Sequence, residues 1–281
     1  MKNLAFFADM HTHSSNSHDA KSTLSEMCEK YIENRCPMFA VTDHFDGVGC
    51  DRYDYITPIK SSSDDVDSCR KIYGDKVQIL KGVEIGEYIY SPKEALEVAA
   101  LCDYDVIIGS QHFFYFEGTP VTHSVFDFSF MSEKEIYEIF SQYFDDILKL
   151  INDRAFNFDI LAHITYPARY INGKFARSED IHVYDDKIRE ILKTAISRDI
   201  ALEVNTSNLK TDYPFLMPDQ KILKMYRELG GKLLTVGSDA HSSDGIICGF
   251  YKTFELLRET GFKELYYFKN RKPFAYEIPE Q

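Results

Sequence analysis

The chain has 281 residues, 44% hydrophobic and 27% charged, without biased tracts, which excludes a disordered or fibrous protein. Its 32 Lys and Arg against 45 Asp and Glu leave a net charge of −13, which argues against a general nucleic-acid binder. No apolar stretch approaches membrane-spanning length and no signal peptide opens the chain, so no membrane partner is expected.

The six cysteines, Cys28, Cys36, Cys50, Cys69, Cys102 and Cys248, form no Cys-x-x-Cys pair. A structural zinc site is therefore not expected, and the chain reads as a reducing, cytoplasmic protein with free thiols.

The first predicted strand is the apolar run Leu4 to Ala8, which ends in Asp9-Met10-His11-Thr12-His13. Side chains alternate along a strand, so His11 and His13 point the same way and can grip one metal ion. Ser14 to Lys21 reads as a loop carrying His18 and Asp19. A helix follows to about Asn34, capped by Ser22 or Thr23. Pro37 to Thr42 is the second strand, with Asp43-His44 at its end. A polar loop runs from Phe45 to about Ser63, and Asp64 to Tyr73 is helical. Val77 to Glu84 forms the third strand.

Pro92 to Leu101 is a helix with Pro in its first turn. Asp105 to Gly109 is the fourth strand, closed by Ser110-Gln111-His112. Phe113 to Phe130 reads as an aromatic-rich loop. Ser132 to about Asp153 is a long amphipathic helix with Ile136, Ile139, Phe140, Tyr143 and Ile147 on one stripe. Phe158 to Ala162 is the fifth strand and ends at His163. The loop Ile164 to Asp180 carries Arg169 and Tyr170. A helix covers about Val183 to Ser197, and Ile200 to Val204 is the sixth strand, ending in Asn205-Thr206. After a helix beyond Pro218, Lys232 to Val236 is the seventh strand, ending in Gly237-Ser238-Asp239-Ala240-His241. A helix from about Phe250 to Glu259 and a strand-like Leu265 to Phe268 close the chain.

Strand and helix alternate about seven times. Parallel neighbours need crossover helices, so this pattern predicts a parallel sheet buried on both faces. No break in composition marks a second domain, and residues 1–281 are read as one. In a closed parallel barrel all carboxyl ends of the strands meet at one face. Six of the nine histidines fall at those ends: His11, His13, His44, His112, His163 and His241. Glu84 and Asp239 join them. His18, His123 and His182 lie in loops or helix starts and are set aside. Mixed imidazole and carboxylate ligands suit zinc, manganese or iron, whereas calcium takes oxygens. Eight or nine ligands exceed one ion and suit a cluster bridged by a carboxylate. Such a cluster binds a phosphate and lowers the pKa of a bound water, which points to hydrolysis of a small phosphate ester.

The motifs His11-Thr12-His13, Asp43-His44, Gly82-Val83-Glu84, Ser110-Gln111-His112, His163 and Gly237-Ser238-Asp239-Ala240-His241 resemble, in order and content, those of the PHP (polymerase and histidinol phosphatase) family. The resemblance covers essentially the whole chain. It implies a distorted parallel (β/α)7 barrel, TIM-barrel-like, with three divalent metal ions. By motif, His11, His13, Glu84 and Asp239 hold one metal. Glu84, His112 and His163 hold a second, with Glu84 bridging. Asp19, His44 and His241 hold the third. Asp19 stands where some members have His, and adjacent His18 is an alternative.

Within the family the chain resembles the members that hydrolyse L-histidinol phosphate. The similarity lies in its size, in Glu203-Val204-Asn205-Thr206-Ser207 and in Arg169-Tyr170. Gln111 and Thr165 depart from the residues frequent there. The implied reaction, in histidine biosynthesis, is phosphomonoester hydrolysis by a metal-bridging hydroxide. Glu84, Asp239 and His241 are the candidate catalytic residues, with Asp239 or His241 as acid for the leaving alkoxide. Arg169, Lys210 and Asn205 are the candidate substrate-binding residues. The alternatives are another small phosphomonoester or a nucleotide as substrate, and a non-catalytic metal-binding domain.

Overall fold

The computed structural model describes residues 6–280, so Leu4 and Ala5 of the first expected strand lie outside the described residues. The chain opens with β1 (Ala8–Asp9), α1 (Leu24–Glu33), β2 (Met38–Val41), β3 (His44–Asp46), α2 (Ile56–Tyr73), β4 (Gln78–Gly86) and α3 (Pro92–Ala99). Next come β5 (Val106–Ser110), β6 (Phe113–Phe116), β7 (Thr119–Thr122), α4 (Glu133–Asn152), β8 (Ile160–Leu161) and the short α5 (Tyr166–Ala168). It ends with α6 (Asp185–Ser197), β9 (Ala201–Asn205), α7 (Gln220–Glu228), β10 (Leu234–Gly237), α8 (Phe250–Thr260), β11 (Glu264–Lys269) and β12 (Lys272–Glu277).

Seven strands pair in the parallel order β1-β2-β4-β5-β8-β9-β10. The ring closes past the ends of β10 and β1. Met10 N–H donates to the Val236 carbonyl at 2.9 Å, Asp239 N–H to that of His11 at 2.8 Å, and His13 N–H to that of Ala240 at 2.9 Å. The expected seven-stranded parallel barrel is therefore present, and its strands are buried on both faces. One apolar cluster runs between strands and helices from Phe7 to Ile278. None of the six cysteines is paired. No helix among the described residues is long and apolar enough to cross a membrane.

Besides β12, four elements differ from expectation. His44 does not end β2. It opens β3, which pairs with β4 at the same offset as β2: Val41 faces Lys81 and His44 faces Glu84. One strand is thus interrupted at Thr42-Asp43 without a slip of register, and His44 sits directly across from Glu84.

Helix α2 begins at Ile56, inside the stretch read as loop. The Asp54 carboxylate accepts from the N–H groups of Ile56 and Thr57, both at 3.0 Å, and Pro58 fits the first turn. The poor helix formers Ser61 to Ser63 are carried by a tertiary bond, from Ser62 Oγ to Asp43 at 2.5 Å.

The aromatic loop contains the β6–β7 hairpin, turned by Glu117 and Gly118, both with positive φ. The loop after His163 is helical, running from α5 into a π-helical turn over Arg169–Lys174.

Candidate metal centre

The strand ends deliver their side chains to one nest at the carboxyl face. Glu84, at the centre and fully buried, reaches both halves of it. Its Oε2 lies 3.0 Å from His11 Nε2 and 3.1 Å from His44 Nδ1. Its Oε1 lies 3.1 Å from His163 Nε2 and 3.2 Å from His112 Nε2. His11 Nε2 and His13 Nε2 stand 3.0 Å apart, and Asp239 Oδ1 is 3.3 Å from His13 Nε2. At the rim, His44 Nε2 is 3.4 Å from His241 Nε2, which is 3.2 Å from Asp19 Oδ2.

Every residue expected as a metal ligand is therefore in the nest. Four triads bring ligand atoms within 4.8 Å of one another: His13, His44 and His241; His11, Glu84 and His163; His11, His13 and Asp239; and His44, Asp46 and His112. Asp19, not His18, faces His241. His18 is largely exposed and comes only within 4.0 Å of Asp46.

These spacings fit divalent cations. Two imidazole nitrogens facing each other at 3.0 Å share at most one proton. Around a cation with Zn–N bonds of about 2.0–2.1 Å, however, the edge of a tetrahedron is ~3.3 Å. The charges of the nest point the same way. Burial opposes charge on His11, but Glu84, Glu203 and Asp239 hold its pKa well above the usual value. Burial also opposes ionisation of Glu84, and His11, His44 and His112 nonetheless hold its carboxyl well below the usual range. The pKa of His112 is likewise held above its usual value by Glu84 against burial, and protons on His11 and His112 occupy places that cations would take.

A supporting layer orients the nest. Glu203 accepts from His11 Nδ1 at 2.6 Å and from the His163 N–H at 3.0 Å. His13 Nδ1 lies 3.3 Å from Ser17 Oγ, which donates to Asp43 at 2.8 Å, and Asp46 Oδ1 lies 3.3 Å from His112 Nδ1. Such outer partners fix the tautomer and angle of a metal-binding imidazole. Gly237 is needed for close approach, since a Cβ there would fall 2.5 Å from both His11 Cβ and Glu203 Oε1. Asp239 adopts a left-handed backbone, φ 50°, which Asp tolerates better than most residues.

Sequence reasoning assigned no role to Glu203 or Asp46. Both lie within strands, and period-two alternation on β9 places Glu203 beside Asn205 on the barrel interior, which was the available signal.

A cavity of about 380 Å³ opens over the nest, lined by Asp19, His44, His112, Arg169, Asp239 and His241 among others. The Arg169 guanidinium rests 3.2 Å from Ser207 Oγ and 3.7 Å from Asp239 Oδ2. The other two expected substrate contacts are placed differently. Lys210 is exposed, lies outside the cavity lining, and donates to the Asp244 carbonyl. Asn205 is fully buried, and its amide donates to Glu203 at 3.2 Å and to Asp239 at 3.4 Å. It steadies Asp239 from behind. Of the histidines set aside, His182 stands apart from the nest, His123 reaches only the backbone carbonyl of His112, and His18 lines the cavity rim.

A parallel barrel with imidazoles and carboxylates converging at its carboxyl face has the build of a metal-dependent hydrolase. The PHP domain matches residues 9–207, and the chain belongs to that family. It is 29% identical to a Clostridium acetobutylicum protein named "Probable histidinol-phosphatase", over 95% of this chain and 99% of that one. It is 25% identical to the "Histidinol-phosphatase" of Lactococcus lactis, over 94% and 95%. Its fold matches the crystal structure of the Lactococcus lactis histidinol phosphate phosphatase complexed with Zn, L-histidinol and phosphate. The TM-score is 0.80 at 22% identity, covering 96% of this chain and 100% of that one.

Proposed function

We propose that this chain is a divalent-metal-dependent phosphomonoesterase that hydrolyses L-histidinol phosphate to L-histidinol and phosphate. The observation that carries the reading is Glu84, which joins both halves of a buried donor nest beneath a cavity with Arg169 on its wall. The names of the two curated relatives, each matched over nearly its whole length, support the substrate. The zinc, L-histidinol and phosphate named for the Lactococcus structure fit the same reading.

Three ions are assigned, zinc, manganese or iron. His11, His13, Glu84 and Asp239 would hold the first, Glu84, His112 and His163 the second, and Asp19, His44 and His241 the third. Held there, divalent ions would supply charge to neutralise the phosphate and would acidify bound water.

The chain's own residues do the rest. Arg169 grips phosphoryl oxygens through paired N–H donors. Asp239 Oδ2 faces Arg169 and the Asn205 amide, and against burial the neighbouring imidazoles keep its carboxyl ionised, so it would first take the proton of the attacking water and then hand that proton to the leaving alkoxide. His241 is less suited to that task. Its Nδ1 is 3.0 Å from the Asp239 carbonyl and its Nε2 faces Asp19 and His44. Six unpaired cysteines support a cytoplasmic location.

The test is phosphate release across a panel of phosphomonoesters, nucleotides included, before and after exhaustive chelation. L-Histidinol phosphate should give the highest kcat/KM. Chelation should abolish turnover, and manganese, zinc or iron should restore it. Full activity in protein shown metal-free by elemental analysis, or a nucleotide as the best substrate, would overturn the reading.

A further inference from the structure

A second chamber of about 510 Å³ adjoins the cavity over the nest and shares His18, His44, Asp46 and Phe113 with it. Its far walls are aromatic. Phe45 and Tyr55 meet edge to face with centroids 5.1 Å apart, and Tyr53 stands 6.5 Å from Tyr55. Tyr53 is fixed to β3 by its hydroxyl, which donates to the Asp46 carbonyl at 2.6 Å. The two spaces differ in charge. Arg169 and Lys21 line the first, together with Asp19, Asp46 and Asp239, whereas among the described residues no Lys or Arg lines the second, which carries Asp46 and Asp54.

Asp46 sits on the boundary. Its Oδ1 is taken by His112 Nδ1 at 3.3 Å, while its Oδ2 accepts no hydrogen bond from the described residues. A phosphate site with Arg169 and the donor nest therefore opens into an aromatic chamber that has carboxylates and, among the described residues, no Lys or Arg. That polarity matches a molecule with phosphate at one end and a cation at the other. Aromatic faces and a carboxylate are the surroundings that attract a cationic nitrogen.

We propose that this chamber is the leaving-group subsite, and that Asp46, Tyr53 and Asp54 select phosphomonoesters whose alcohol carries a cationic nitrogen or a protonated flat ring. The proposal rests on the preceding assignment of the phosphate to the donor nest. It assigns the edge of the barrel mouth between β3 and α2 to specificity and the nest to chemistry.

Tyr53→Ala and Asp54→Asn test it without touching the nest. Tyr53 is half exposed, and Asn keeps the helix cap that Asp54 supplies. For metal-loaded enzyme, each variant should raise KM for L-histidinol phosphate, about tenfold for Tyr53→Ala, with kcat nearly unchanged. With β-glycerol phosphate, whose alcohol is uncharged, kcat/KM should stay at the wild-type value. Calorimetric titration with L-histidinol should show the same loss of affinity independently of turnover.

Wild-type values for both variants in both measurements would overturn the proposal, as would equal losses on the two esters. Should the wild-type protein hydrolyse other esters but not L-histidinol phosphate, the functional reading falls. The chamber proposal then stands only if Tyr53→Ala selectively loses activity on cationic esters, and falls if it does not.

Discussion

Glu84 holds the site together because each of its oxygens faces a different group of imidazoles. Removing it should disturb two metal positions at once, whereas His112 serves one. Glu84→Ala should therefore lose more metal per chain than His112→Ala, by elemental analysis, and undiminished metal in Glu84→Ala would refute the bridging role. Arg169 lines the cavity over the same nest. Arg169→Ala should keep metal content and fold, while its kcat/KM falls by about 10², the loss of ~3 kcal/mol of charged hydrogen bonding. Arg169→Lys should recover only part, since an ammonium lacks the paired fork. Steady-state kinetics check both. The histidines and Glu84 were legible in the sequence because each follows an apolar run, and barrel topology gathers such positions. Lys210 shows the limit of that reasoning. It follows the sixth strand as Arg169 follows the fifth, yet a 3-10 turn over Ser207–Lys210 carries it outward to Asp244. Nothing in residue type encodes that turn's direction.

At the scale of elements, the β6–β7 hairpin shows how a loop becomes part of the site's support. Its Glu117-Gly118 turn was visible in principle, since a residue followed by Gly between β-forming aromatics is a hairpin signal. The aromatic density of Phe113 to Phe130 masked it, because those rings pack on one another and leave no clean alternation. His123 follows the hairpin and lies buried against Phe114 and Tyr143. Its Nδ1 is 2.6 Å from the His112 carbonyl, so it fixes the backbone of a nest residue. Burial lowers its pKa to about 3, whereas an unfolded His titrates near ~6.5. The folded protein therefore binds fewer protons than the unfolded chain between these values. Stability due to the neutral His123 is intact above ~6.5 and declines as pH falls toward 3, by about 1.4 kcal/mol per pH unit. His123→Gln removes that dependence. Urea unfolding at pH 7 and pH 5 should show the wild-type advantage over His123→Gln shrinking by about 2 kcal/mol. A constant gap would place the titration elsewhere.

For the whole molecule, the carboxyl end of the barrel does chemistry while the opposite end is sealed by the chain's last hairpin. Only the first of its two strands was read from sequence, because Pro273 interrupts the second, and an edge strand tolerates that. The turn uses Asn270 and Arg271, both at positive φ, a pairing more usually met with Gly in the second place. Arg271 is kept there by what it reaches. Its Nε donates to Asp159, its Nη2 to the Asn157 carbonyl at 2.7 Å, and its N–H to the Asp105 carbonyl at 2.9 Å. Asn270 N–H donates to the Asp105 carboxylate at 3.0 Å, so the turn ties together the starts of β5 and β8. Asp159 is largely buried, and burial raises its pKa while the Arg271 guanidinium opposes the rise. Arg271→Ala should leave that carboxylate without its cation. The expected loss is about 2 kcal/mol, reduced from a fully buried pair because Arg271 is partly exposed. In a chain of this size that lowers Tm by roughly 4–8 °C in calorimetry. The sign with pH follows from the raised carboxyl. A group whose folded pKa lies above its unfolded value favours folding below it and opposes folding above it. Asp159 therefore costs the variant most at neutral pH, and the Tm gap from wild type should narrow as pH falls and the acid protonates. Activity per folded, metal-loaded chain should stay at the wild-type level, since the turn lies at the end opposite Glu84. A Tm gap that widened with acid would show that Asp159 is not the group released.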